Sequence, residues 1–141
     1  MYIRIAETDQ EIERCFPLMV QLRPHIQASE FVSLVRHQQQ AGYRIATLLE
    51  GDNPVCLAGY RVSDNLAWGR FLYIDDFITQ AEKRSRGNGA KLLEWLKQQA
   101  LREGCQQIHC DSGLQRELAH HFYEREKLPK TGYHFAALLK P

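Results

Sequence analysis

One stretch of the 141-residue chain limits its fold more than any other. The run "FLYIDDFIT" (71–79) is followed by "RSRGNGA" (84–90) and then by "KLLEWLKQQAL" (91–101). The first run is rich in β-branched and aromatic residues and reads as a strand. In the third, Leu92, Leu93, Leu96 and Ala100 recur at helical spacing, Leu101 widens the stripe, and Gly104 supplies a C-terminal cap. A long strand that enters a helix through a glycine turn must return as a crossover, which places a parallel neighbour beside that strand.

The flanking segments complete a mixed α/β reading. "YIRIAE" alternates as a first strand. Thr8 or Asp9 can cap a helix carrying Ile12, Phe16, Met19, Val20 and Leu22, which Pro17 kinks or divides and Pro24 ends. A second helix, with Ser29 as its expected cap, carries Phe31, Val32, Leu34 and Val35 and stops at Gly42. "YRIATLLE" and "VCLAGYRV" flank the turn "GDNP" and predict a hairpin, continued as a meander by "WGRFLYIDDFIT". "QQIHCDS" reads as a strand, "QRELAHHFYEREK" as a helix packed through Leu118, Ala119, Phe122 and Tyr123, and "GYHFAALLK" as a closing strand. The order is β-α-α-β-β-β-α-β-α-β: one domain over residues 1–141, with a mixed, mostly antiparallel sheet flanked by helices.

Composition narrows the function classes. Net charge is +1, which provides no global field for nucleic acid or membrane, so any anion site must be local. No apolar run approaches the ~20 residues of a membrane span, and the charged N-terminus is unlike a signal peptide. Cys15, Cys56, Cys105 and Cys110 contain no C-x-x-C pair and read as reduced thiols of a cytoplasmic protein. The histidines lack metal-ligand spacing: His120 and His121 are adjacent on a helix and so do not share a face.

A glycine-led helix start is physically suited to an anion. Its first N–H groups have no intrahelical partner, the helix dipole is positive there, and glycines let a phosphate approach the backbone. Arg84 and Arg86 add charge. Spacing alone leaves a plain tight turn as the alternative. A phosphate-binding G-x-x-x-x-G-K-[ST] string is absent, and the dinucleotide pattern G-x-G-x-x-G fails because Leu92 stands where its third glycine belongs.

Arg84-x-x-Gly87-x-Gly89 resembles the R/Q-x-x-G-x-G/A signature of the GCN5-related N-acetyltransferase (GNAT) superfamily, and it stands in that family's context, after a fourth strand and at a third helix. The element order is similar over essentially the whole chain, and "AHHFYERE" looks like the family's next helix. The resemblance implies an acetyl-CoA co-substrate. Its pyrophosphate would lie on the main chain of Arg84, Ser85, Arg86, Gly87, Asn88, Gly89 and Ala90, and its pantetheine would pair with Phe77, Ile78 and Thr79. Direct acetyl transfer to an amine is implied, with Tyr123 as the acid for the departing thiolate. Asp76 is the favoured proton acceptor or attractor of a cationic substrate. Asp75, expected on the opposite face of the strand, and Arg23 and His25, between the first two helices, are weaker acceptor-side candidates.

Two departures from the family pattern stand out. Arg116 occupies a position where the family often has asparagine, and Lys127-Leu128 replaces a common Gly-Phe. The ending also resembles the aminoalkylphosphonate acetyltransferase type, for which Arg23, Arg61 or Arg70 would supply a phosphonate partner. A peptide or protein N-terminus is the alternative acceptor, and a non-catalytic acyl-CoA sensor is the alternative function. The resemblance leaves room for a homodimer but identifies no interface.

Overall fold

The computed structural model describes residues 1–84 and 86–140. The elements are β1 (Tyr2–Ile5), α1 (Asp9–Glu13), α2 (Phe16–Leu22), α3 (Ala28–Gln39), β2 (Arg44–Glu50), β3 (Asn53–Asn65), β4 (Gly69–Thr79), a short 3₁₀ turn (Ala81–Lys83), α4 (Asn88–Arg102), β5 (Gln107–Cys110) and α5 (Glu117–Arg125). The chain separates into two compact units, Met1–His109 and Cys110–Pro141.

In the first unit, β1 to β4 form an antiparallel meander, and β5 is the last strand in the order β1-β2-β3-β4-β5. The crossover through α4 makes the sheet mixed, as the glycine turn predicts. Two separate apolar layers show that both sheet faces are covered. On one side, Ile12, Leu18, Met19, Phe31 and Val35 of α1–α3 pack with Tyr43, Ile45, Leu57 and Ile78. On the other, Leu92, Leu93, Leu96 and Ala100 of α4 are buried, with α4 resting on β2, β3 and β4.

Local chemistry sets the ends of the elements. Thr8 Oγ1 accepts the Glu11 N–H at 3.1 Å while Glu11 Oε1 accepts the Thr8 N–H at 2.9 Å, a reciprocal capping box. Pro17 divides the first helical stretch: it lies in the first turn of α2, where its missing N–H costs nothing. The cap of α3 is Gln27, not Ser29. The Glu30 carboxylate accepts the Gln27 N–H at 3.2 Å, which leaves Ser29 inside the first turn.

In the second unit, α5 ends in a Schellman motif. Leu128 N–H donates to Tyr123 O at 2.8 Å and Lys127 N–H to Glu124 O at 3.1 Å. Lys127 takes the left-handed conformation, φ 70°, that glycine usually fills.

Further expectations fail. Leu101 and Leu118 are 66% and 86% exposed, because periodicity names a stripe but not its width. The closing strand is absent among the described residues, since 128–140 form neither helix nor strand. Alternation makes a segment fit to pair but provides no partner.

Candidate active site

β4 joins the two halves of the site. At its C-terminal end the chain passes through the 3₁₀ turn into α4. Gly87 is the N-cap of α4, in the left-handed region at φ 78°, and an added Cβ there would meet nothing within 4 Å. The glycine is therefore required by backbone conformation, and the space beside it is open. Asn88, the first residue of α4, is buried, and its Nδ2 donates to Lys83 O at 3.2 Å, which closes the turn. Arg84 folds back so that its Nε donates to Thr79 O at 3.2 Å, and Arg86 is exposed. Ser85 lies outside the described residues. The Oε1 of Gln80 is buried without a hydrogen-bond partner, an unspent acceptor at the start of the turn. Cationic side chains, a glycine of left-handed φ and the first turn of a 15-residue helix make a donor set suited to a diphosphate.

β5 leaves this end of β4 uncovered by strand. Gln106 N–H donates to Arg70 O at 2.8 Å, and the Trp68 ring stacks on His109 with centroids 3.5 Å apart. Both contacts hold β5 beside the beginning of β4. Four residues extend ~13 Å, so β5 stops short of Phe77, Ile78 and Thr79. Those three residues pair with Ala58, Leu57 and Cys56 of β3.

Midway along β4 lies a β-bulge. Gly59 pairs with Asp76 but the next residue, Tyr60, pairs with Ile74, so Asp75 is an extra residue. This corrects the expectation that alternation puts Asp75 and Asp76 on opposite faces. Asp76 Oδ1 accepts from Arg23 Nε at 2.9 Å and its Oδ2 accepts from the Tyr43 hydroxyl at 2.7 Å. Asp75 accepts from Arg61 at 2.7 and 3.3 Å, and the same guanidinium lies 5.5 Å from the centroid of the Tyr43 ring. Both carboxylates thus meet around one tyrosine. Arg23 also donates to Asp75 O at 2.8 Å, and Arg61 to Gln38 Oε1 of α3 at 3.0 Å.

The cluster is closely packed and balanced in charge, two carboxylates against two guanidiniums. Burial, followed by the Asp76 charge, holds the Tyr43 pKa well above the usual phenol value, so Tyr43 keeps its proton and donates it. Asp76 is 12% exposed and Arg23 40%, so Arg23 forms the outer wall over the carboxylate. Gly59 is opposite: a Cβ there would overlap the Tyr43 hydroxyl and stand 2.5 Å from Asp76 Oδ2.

Of the sequence candidates, Arg23, Asp75 and Asp76 come together, and His25 is exposed and makes none of the hydrogen bonds just described. Tyr43, Arg61, Gln38 and Gly59 were missed as a set. The only sequence signal was Gly59 inside an otherwise bulky strand, a mark of close approach. Arg70 is held by Glu103 O and Asp64 at 2.7 and 3.2 Å, so Arg23, Arg61 and Arg70 each carry an acidic partner in this structure.

In the second unit, Tyr123 is buried and its hydroxyl is hydrogen-bonded to Cys110. Burial pushes the Cys110 thiol up to about 11, and Cys15 and Cys56 to about 12. Such thiols are poor nucleophiles at neutral pH. His120 Nε2 bonds to Gly113 O at 2.8 Å and pins the loop before α5. Arg116 is the N-cap residue of α5.

Solved proteins share this architecture. A transcriptional regulator from Bacillus halodurans C-125 superposes with a TM-score of 0.84 at 20% identity, over 98% of this chain and 99% of that one. The aminoglycoside N-acetyltransferase AAC(6')-Iy, solved with CoA, gives 0.83 at 12% identity over 99% and 96%. In sequence, the uncharacterized N-acetyltransferase YhdJ of Bacillus subtilis (strain 168) is 28% identical over 124 residues, 87% of each chain. Residues 5–127 match the family described as "Acetyltransferase (GNAT) family". Fold and match define the class as an N-acetyltransferase. The chain belongs to the GNAT family, with residues 128–141 beyond the matched stretch.

Proposed function

We propose that the protein transfers the acetyl group of acetyl-CoA directly to a primary amine of a small acceptor, with residues 1–141 acting as one catalytic domain. The observation that carries this reading is the layout of β4. Asp76 of its carboxylate pair precedes Thr79 by three residues, ~10 Å of extended strand, and Thr79 leads into the glycine-capped start of α4. A ligand whose diphosphate lies on Arg84, Ser85, Arg86, Gly87, Asn88, Gly89 and Ala90, and whose arm pairs along Thr79, Ile78 and Phe77, ends beside Asp76. Bound acetyl-CoA supplies the acetyl thioester.

The chain's own residues supply binding and proton handling. Asp76 attracts the ammonium and accepts its proton once Arg23 gives way, while Tyr43 holds the carboxylate in place. The Tyr123 hydroxyl holds the proton for the leaving sulfur, with the Cys110 contact orienting it. The paired state of Arg23, Arg61 and Arg70 favours an amine without a phosphonate group. Four free cysteines suit a reducing cytoplasm, and among the described residues no helix is long and apolar enough to cross a membrane.

Calorimetry with acetyl-CoA and a thiol-release assay over an amine panel test this reading. Arg84→Ala weakens cofactor binding, while Tyr123→Phe lowers kcat about 100-fold with affinity retained. No binding at millimolar acetyl-CoA overturns the proposal. Binding without turnover on any amine leaves a sensor of acyl-CoA instead.

A further inference from the structure

Arg23 and Asp76 are bound to each other, yet each keeps hydrogen-bonding capacity that nothing among the described residues uses. A guanidinium presents its N–H donors as a planar fork. Arg23 donates from Nε to Asp76 Oδ1 at 2.9 Å and from Nη2 to Asp75 O at 2.8 Å, and its Nη1 has no partner among the described residues. Both bonds leave from the Nε side. The Nη1–Nη2 edge, which can grip an oxyanion with two parallel bonds, is unused. Asp76 is the complement. Its Oδ1 takes the Arg23 bond and its Oδ2 the Tyr43 hydroxyl, and each oxygen keeps a lone pair without a donor. The Arg23 side chain is 40% exposed and the acid beneath it 12%, so a solute meets the guanidinium first.

The neighbouring arginine differs. Arg61 uses Nε and Nη2 on Asp75 and a second Nη2 bond on Gln38 Oε1, so its fork is already broken. Charge then decides what kind of amine fits beside Arg23. Two carboxylates, two guanidiniums and a Tyr43 that keeps its proton leave the cluster neutral. A plain ammonium adds a positive charge and, by taking Asp76, leaves Arg23 without an anion. Both effects are unfavourable in a half-buried site. An amino acid brings both signs. Its ammonium replaces the Arg23 N–H at Asp76 Oδ1, its carboxylate replaces Asp76 on Arg23, and every charge stays paired. A phosphonate dianion would instead leave an excess negative charge beside Asp75.

We infer that the Arg23–Asp76 pair is the recognition site for an amino acid, whose carboxylate takes the fork of Arg23 and whose ammonium takes Asp76, and that this amino acid is the acetyl acceptor. The second half of the inference rests on the acetyl-transfer reading above; the binding of the acid does not. Arg23 and Asp76 lie within hydrogen-bond distance, so an acceptor that bridges them has its own two charges only a few bonds apart. Arg23 is also placed to exchange partners. It is the C-cap residue of α2, and its main chain is held by the bond from its N–H to Met19 O at 2.8 Å. Exchange asks only for rotation of a partly exposed side chain.

Calorimetry in the presence of CoA tests this apart from catalysis, with the common amino acids and β-alanine each compared with its own carboxamide. At least one acid binds roughly tenfold to a hundredfold tighter than its carboxamide, the range of a hydrogen-bonded charge pair. Arg23→Gln removes that preference by weakening the acid alone. Arg23→Lys keeps a cation over Asp76 but lacks the fork, so it guards against a variant that merely unfolds, and it too loses most of the preference. Carboxamides that bind as well as their acids across the panel, or a preference undiminished in both variants, overturn the inference. Thiol release on the same pairs separates it from the reading beneath it. Carboxamides acetylated as fast as their acids would refute selection by Arg23 and leave acetyl transfer standing. Selective, Arg23-dependent binding without turnover on any amine would refute acetyl transfer and leave the amino-acid site standing.

Discussion

Replacing Gly59 by alanine is the sharpest test of the carboxylate cluster. The new methyl group would overlap the Tyr43 hydroxyl and lie 2.5 Å from Asp76 Oδ2, in a site where Tyr43 is 5% exposed. Either Tyr43 moves or the strands separate. Loss of the bond from the Tyr43 hydroxyl to an ionised carboxylate costs about 1.5–3 kcal/mol. Overpacking a filled interior costs about 1–3 kcal/mol more. The expected loss is therefore about 2.5–6 kcal/mol, a large share of the 5–15 kcal/mol typical of a domain. At roughly 4 °C per kcal/mol for this chain length, Tm falls by 10–24 °C. Urea unfolding followed by circular dichroism measures it. Tyr43→Phe is the companion, since the hydroxyl bond can be lost only once. The double variant should lose less than the sum of the singles by about 1.5–3 kcal/mol. A Gly59→Ala protein within 0.5 kcal/mol of wild type, or strictly additive singles, would refute the reasoning.

Two further predictions follow from other parts of the chain. Lys127→Gly relieves the left-handed conformation at the end of α5 and stabilises the protein by about 1 kcal/mol; a lower Tm would show that the Lys127 side chain contributes more than its backbone costs. The Cys15 and Cys56 pKa values are raised by burial from the ordinary 9 to about 12, so the folded state retains protons that the unfolded chain releases. Their contribution is complete below pH 9 and falls as pH rises from 9 to 12, at roughly 1 kcal/mol per thiol per pH unit. Urea midpoints at pH 8 and 10.5, with Cys15→Ala/Cys56→Ala as control, check the slope; equal slopes in both proteins would discard the assignment.

The features legible in the sequence were those that local chemistry decides. The cap at Thr8 (one of the two residues offered), Pro17, the "GDNP" hairpin and the leucine stripe of α4 each depend on neighbours within a few residues, and each appears where expected. The glycine-led start of α4 was legible for the same reason. The surroundings of the β4 carboxylates were not. Tyr43 is 33 residues from Asp76, and Arg23 is 53. Asp75 departs from alternation because of a cross-strand register that no single strand encodes. Leu118 was misjudged because a helical stripe does not say how much of itself will be covered, and the tail because a strand's partner is not written in the strand.

The bulge in β4 has a consequence of another kind. The pairs Gly59–Asp76 and Tyr60–Ile74 are the neighbours a regular ladder would also contain, so Asp75 is a single-residue insertion into a sheet already complete without it. Register on either side is indifferent to its presence. Its carbonyl, diverted to Arg23 at the end of α2, and its carboxylate, diverted to Arg61 of β3, are available because the ladder does not use that residue. Chain length at this point, rather than residue identity, decides whether the middle of the strand presents one acid or two.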